Sequence, residues 1–390
     1  MRYGLNNVDW EERWNPERMR RERLERARQA MKAHGLDALL CFTPSNIRYI
    51  TGTRGVTLPA LHRHCLLIKD EDPILFEFGG DVGRVKENAP WMKDKIRVAI
   101  PPYLATEEIV RQWARDMKDL LREAGADKVG LDSLSFKIER ALRAVEIDFV
   151  DANPAMSEAR MIKTKDELEC LKLSVSLGDL AYEAARQAIR PGVKEGEVQG
   201  EMVRVLAAQG CDWVRGICAA GEHTNPYWRI FGTDKVLAEG DLVIIDRVHS
   251  YNGYACDYVR TFLCGEKARK GQRKAFRECY EKLYGALQMI KPGNTTAQVA
   301  EKLGEKEDFS EITIHYGHGL GLDAHEHPHI TFLSKRNPVL FRPNMVFAVE
   351  TYVPDEEDQQ GVRLEQNLIV TEEGYEIISL YPFDARLLDG

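Results

Sequence analysis

The chain has 390 residues, is 44% hydrophobic and carries a formal net charge of −8, enough length to bury two cores and too acidic for nucleic acid to be the main partner. Its eight cysteines contain no CxxC pair and no zinc-finger spacing, so they are expected to be reduced core thiols of a cytoplasmic protein. No apolar run approaches the length of a membrane span and the charged start is not a signal peptide, so no membrane partner is expected.

In chain order, residues 16–34 form a helix opened by Asn15-Pro16 and closed by Gly35. Its arginines (Arg18, Arg20, Arg21, Arg23, Arg26, Arg28) alternate with glutamates, as on a solvated helix face. A strand over 38–42, the segment SNIRYITG, strands at CLLIKD and PILFEF, a helix over 106–124 and a strand at KVGLDS follow. This alternation predicts a small α/β domain, residues 1–157. Residues 158–390 form the second domain. Thr164 and Glu167 make a capping box at the start of a long helix that ends at IRPGV. A second long helix, 271–290, ends at IKPGN. Each is followed by a short helix, GEVQGEMVRVLAAQG and TAQVAEKLGE, and the helix–PG–helix unit recurs 101 residues apart, Pro191 to Pro292. The recurrence predicts two similar halves whose acidic hairpins face each other.

Five residues of metal-ligand type lie in three runs: VIIDRVHSYNGYACDYVRTF, HYGHGLGLDAHEHP and VFAVETYVPDEEDQQGVRLEQNLIV. They are Asp246, Asp257, His318, Glu350 and Glu365. The acids sit in apolar, strand-like sequence, where an unpaired charge is costly. Asn252-Gly253 is a two-residue hairpin turn, so residue 251 faces 254 and 248 faces 257, which makes Asp246 and Asp257 diagonal neighbours on one face. Pairing about PDEEDQQG sets Glu350 nearly opposite Glu365. Facing carboxylates repel unless a cation lies between them, and four carboxylates with one imidazole balance two divalent ions. Such an oxygen-rich set suits Mn, Fe or Co better than a closed tetrahedral zinc site, although Zn stays among the candidates. Two ions sharing carboxylates would acidify a bridging water into a nucleophile.

The runs VIID…YNGYACDYVRTF, GHGLGLDAHEHP, VFAVE and GVRLEQNLIV resemble the pita-bread (M24) metallopeptidase superfamily. SNIRYITG and RMIKTKDEL resemble its two-domain members: Xaa-Pro aminopeptidase, prolidase and creatinase. The resemblance implies an α/β fold of a creatinase-like N-terminal domain and a pseudo-twofold catalytic domain, and a homodimer. It implies that Asp246, Asp257, His318, Glu350 and Glu365 are the metal ligands and that Glu350 also handles the proton of the bridging water. It further implies that His325 hydrogen-bonds the substrate carbonyl or the tetrahedral intermediate. Arg54 is expected to reach a partner's site, and Arg363 to orient groups beside the metals.

Proline-directed peptidases carry a histidine after a proline ahead of the first ligand aspartate. Here AAGEHTNPYWRIFG places Trp228 and Arg229 in that zone, with His223 as an earlier substitute. Tyr227 and Trp228 either wall a substrate pocket or simply pack, and Arg229 or Arg247 either binds a substrate carboxylate or forms a structural salt bridge. The TNP-aromatic segment resembles the dimethylsulfoniopropionate lyases of the superfamily, whereas His325-Glu326 is a pair that those lyases lack. His315, His327 and His329 flank the site and are expected to be supporting or structural, and Asp323 is expected to be a solvated loop aspartate, a base only in the lyase alternative. The expected activity is hydrolysis of a C–N amide bond in a small molecule or short peptide, Xaa-Pro peptidase-like. The alternatives are a lyase on a sulfonium acid or a creatinase-like amidinohydrolase; a non-catalytic binding module would have no reason to keep all five ligands.

Overall fold

The computed structural model describes residues 14–55, 63–99, 105–225, 232–304, 316–355, 357 and 359–388. The chain forms two compact units, Asn15–Arg160 and Met161–Gly390.

The first unit is a six-stranded mixed sheet with helices. Its elements are α1 (Pro16–Ala33), β1 (Ala38–Cys41), α2 (Pro44–Thr51), β2 (His64–Ile68), β3 (Ile74–Phe78), α3 (Val82–Asn88), β4 (Ile96–Ala99), α4 (Glu107–Glu123), β5 (Val129–Leu131), α5 (Phe136–Ala144) and β6 (Phe149–Asp151), with α6 (Asn153–Met161) closing it. Strand order is β4-β3-β2-β1-β5-β6. Asn15 caps α1 by accepting from the Arg18 amide, as the Asn-Pro start predicts. SNIRYITG forms α2 and closes on Gly52 in the left-handed region at φ 70°. Helices α3, α5 and α6 were not legible as separate elements, because each is under ten residues and carries little periodicity of its own.

His64 gives this unit a pH dependence. Its ring stacks on Phe42 and Phe76 at 5.2 and 4.5 Å and accepts a hydrogen bond from Trp113 Nε1 at 3.1 Å. Burial lowers its pKa to about 3. The unfolded chain therefore takes up a proton below about pH 6.5 that the folded chain refuses, so stability is intact above that value and is lost as the pH falls. From about pH 7 to about pH 5 this group alone should cost about 2 kcal/mol. Urea unfolding of His64→Phe at those two pH values should show a correspondingly smaller loss than wild type; an equal loss would mean that His64 is not the group responsible.

The second unit begins with α7 (Lys165–Ala188), whose start carries both bonds of the Thr164/Glu167 capping box. Leu171, Val175, Tyr182 and Ala185 form its buried stripe. Then come α8 (Glu195–Ala208), β7 (Trp213–Ala220), β8 (Leu242–Tyr251), β9 (Tyr254–Leu263), α9 (Lys270–Leu287) and α10 (Thr296–Leu303). The remaining elements are β10 (Gly317–Gly319), β11 (Glu326–Ile330), β12 (Val346–Asp355), β13 (Gln360–Val370), β14 (Tyr375–Ile377) and α11 (Ala385–Leu388). The pairs α7–α8 and α9–α10 are the two helix–PG–helix units, and each precedes its own sheet: β7-β8-β9 and β11-β10-β12-β13-β14. Phe276, Leu283 and Leu287 of α9 pack with Phe347, Val349 and Leu364 in one buried core.

The hairpin registers follow the turn chemistry. Asn252 and Gly253 both take positive φ, 49° and 81°, as a two-residue turn of this type requires. Tyr251 pairs with Tyr254 and Val248 with Asp257. Glu350 pairs directly with Glu365, and β12 and β13 extend further into the intervening polar segment than the sequence suggests. The two hairpins do not face each other across a gap. They run side by side, β9 along β13: Asp257 N donates to Asn367 Oδ1 at 3.2 Å, Thr261 Oγ1 to Arg363 O at 2.7 Å and Arg260 Nη1 to Glu365 O at 2.7 Å. Side chains thus bridge two ladders that belong to separate sheets.

Candidate metal centre

Strand alternation decides which side chains meet. Asp246 on β8, Asp257 on β9, Glu365 on β13, Glu350 on β12 and His318 on β10 come together from five neighbouring strands, and all are buried. Their donor atoms form overlapping triads, Asp246–Asp257–Glu365 and His318–Glu350–Glu365, each within 4.8 Å. His325 joins Asp257 and His318 in a third triad of the same size. His318 Nδ1 lies 3.1 Å from the Gly319 carbonyl, so Nδ1 carries the proton and the Nε2 lone pair is directed at the acids. That Nε2 is 3.7 Å from Asp257 Oδ2 and 4.0 Å from Glu365 Oε1.

The electrostatics of this cluster call for cations. Burial, the largest cause, raises the Asp257 carboxyl to about 7; the His325 hydrogen bond opposes it and the Asp246 charge adds to it. Burial and then the Asp257 and Glu350 charges push Glu365 well above the carboxylate range. Asp246 Oδ1 and Glu365 Oε1 are buried without a hydrogen-bond partner. Two orphaned carboxylate oxygens facing a correctly oriented imidazole fit divalent metal ions of the oxygen-preferring kind. Arg363 supplies part of the compensation, its guanidinium bridging Asp246 and Glu350.

His325 stands at the open edge, its ring 4.0 Å from that of His318 and Nε2 3.5 Å from Asp257 Oδ2. The Asp257 hydrogen bond, against burial, raises its pKa. The neighbouring Glu326 forms a buried ion pair with Lys163 at 3.2 Å and accepts from Asp323 N at 3.1 Å. The segment RMIKTKDEL therefore holds the His325 loop through a lysine that sequence reasoning did not single out. Its signal was a lone lysine just before a helix cap, too common to be diagnostic. Asp323 acts here through its backbone amide.

Among the candidate substrate contacts, His223 lies in the short turn Gly221–Thr224, with Nδ1 3.0 Å from the fully buried Glu195. The turn is tied to β13 by Gly361 N donating to Thr224 Oγ1 at 2.9 Å. Arg54 is an exposed residue of the first unit, just after α2. Tyr227, Trp228, Arg229 and His315 lie outside the described residues. Arg247 is on the wrong side of its strand for a substrate carboxylate. It follows Asp246 directly, so it points to the opposite face, where it is 1% exposed and donates to the Val248 carbonyl at 3.3 Å. Burial lowers its pKa.

Residues 169–372 match the profile of metallopeptidase family M24. The chain belongs to this family. Residues 23–162 match the creatinase/prolidase N-terminal domain. The Xaa-Pro dipeptidase of Pyrococcus furiosus is 26% identical over 364 residues, covering 91% of this chain and 96% of that protein. The dimethylsulfoniopropionate lyase DddP of Roseobacter denitrificans is 27% identical over 405 residues, 95% and 87% of the two chains. A solved Xaa-Pro dipeptidase from Bacillus anthracis superimposes with a TM-score of 0.77 at 26% identity, covering 95% of this chain and 99% of that one. The resemblance to the two-domain M24 branch is thereby established, and the fold is that of a creatinase-type N-terminal domain and an M24 catalytic domain.

Proposed function

We propose that the chain is a metal-dependent hydrolase that cleaves a C–N amide bond in a small substrate, in the manner of an Xaa-Pro dipeptidase or aminopeptidase. The observation that carries this reading is the convergence of four buried carboxylates and His318 on one face, two of their oxygens orphaned. Asp246, Asp257, His318, Glu350 and Glu365 would hold two divalent ions, Mn, Fe or Co being the best matched. When bound, such ions supply Lewis-acid activation of water and of the scissile carbonyl.

The chain's own residues supply the rest. Glu350, beside the Arg363 guanidinium, accepts and returns a proton. His325, at the open edge of the cluster with its pKa raised, donates to the oxygen on which negative charge develops. Lys163 and Glu326 fix the loop that carries it. Arg363 keeps Asp246 and Glu350 from moving apart.

A second reading, a lyase acting on a betaine-like sulfonium acid, is favoured by the similarity to the dimethylsulfoniopropionate lyase and by Trp228 in place of the proline-adjacent histidine. Xaa-Pro dipeptides, creatine and dimethylsulfoniopropionate, each assayed with Mn, Fe and Co in ¹⁸O-water, separate the readings. Cleavage of the dipeptides with label in the carboxyl product is expected, and chelation should abolish it. Turnover of dimethylsulfoniopropionate alone would replace hydrolysis by elimination.

A further inference from the structure

Arg215 is exposed on β7, two strands from Asp257. The register runs Arg215↔Val248↔Asp257 across β7, β8 and β9, so all three side chains lie on the face of the sheet that carries Asp246 and Asp257. Strand spacing puts the Arg215 and Asp257 backbones about 10 Å apart, which an arginine side chain and a two-residue ligand can span between them. Val248, between them, is only half-buried and presents an apolar side chain there. The Arg215 guanidinium lies 5.8 Å from the Trp213 ring, which is two residues away on the same face. Arg215 forms no ion pair among the described residues.

Among the described residues, the other arginines near the cluster are committed. Arg363 bridges Asp246 and Glu350. Arg247 is buried on the opposite face. Arg260 is also buried, donating to Glu365 O and Gln366 Oε1. Val248 pairs with both Arg215 and Asp257, and Asp257 is the ligand that lies beside His325.

We infer that Arg215 is a specificity-determining residue that anchors the free carboxylate of a small substrate whose scissile group lies over Asp257. This rests on the reading of the cluster as a metal-dependent site for small molecules. It selects substrates that end in a carboxylate within one residue of the reacting carbon, and so disfavours long peptides. A guanidinium takes a carboxylate bidentately, and the Trp213 ring limits the orientations that it can adopt.

The test compares Ala-Pro with its C-terminal carboxamide in wild type, Arg215→Ala and Arg215→Lys, with metal content measured for each. Wild type should favour the free acid roughly tenfold or more in kcat/KM. Arg215→Ala should collapse that preference through a rise in KM for the acid, with kcat moving far less, and Arg215→Lys should retain part of it. A preference that survives in Arg215→Ala overturns the anchor and leaves the peptidase reading standing. Titration of Ala-Pro, creatine and dimethylsulfoniopropionate against wild type and Arg215→Ala extends the test beyond turnover. If wild type cleaves no Xaa-Pro peptide yet binds one of the other two, the peptidase reading falls and the anchor is judged on that ligand's loss of affinity in Arg215→Ala. Equal affinity overturns it, and binding of none of the three overturns both.

Discussion

Asp257→Ala should lose most of the bound metal and nearly all activity. Asp257 belongs to two of the three donor triads and lies 3.7 Å from His318 Nε2, so its removal opens the coordination set at its centre. The loss should exceed the roughly 10²-fold that an outer-sphere partner costs. The fold should survive, because Asp257 meets Asn367 through its backbone N–H and carbonyl, which alanine keeps. Elemental analysis of protein purified without chelator, beside turnover, reads both effects. More than one transition ion per chain is expected in wild type; a variant that kept both ions and full turnover would sink the ligand assignment.

His325→Ala should keep its metal and slow the chemical step by on the order of 10², as for loss of one oxyanion donor. The contrast with Asp257→Ala is the point of the experiment. His325 lies close enough to Asp257 and His318 to complete a donor triad, yet its side chain is 54% exposed whereas theirs are buried. Retained metal with reduced kcat supports the hydrogen-bonding role. Loss of metal would make His325 a ligand, and an unchanged kcat would remove it from the mechanism.

Local rules carried much of what could be read in advance. The Asn252-Gly253 turn fixed Val248 opposite Asp257, because only one register suits a two-residue turn with both φ values positive. The facing of Glu350 and Glu365 followed from counting back along two apolar runs. The capping box of α7 was legible because both bonds lie within four residues. The choice left open for Arg247 could have been narrowed in advance: successive strand residues point to opposite faces, so the neighbour of a ligand on β8 faces away from the site.

What lay beyond the sequence depends on which strand sits beside which. Arg215 stands 31 positions before Asp246 in the chain, and only the β7–β8 pairing places it on the ligand face. Arg363 could be suspected of orienting the site, but its hold on Asp246 and Glu350 needs β9 alongside β13. The side-by-side hairpins could not be told from facing sheets, since the bonds that join them come from Asn367, Thr261 and Arg260 side chains. The sequence by itself determined the donor types, their strands and their registers, because turn chemistry and strand alternation act over a few residues. Which cations lie beside those donors was decided by tertiary structure, because a side chain's field acts through space and only the packing of distant strands sets that distance.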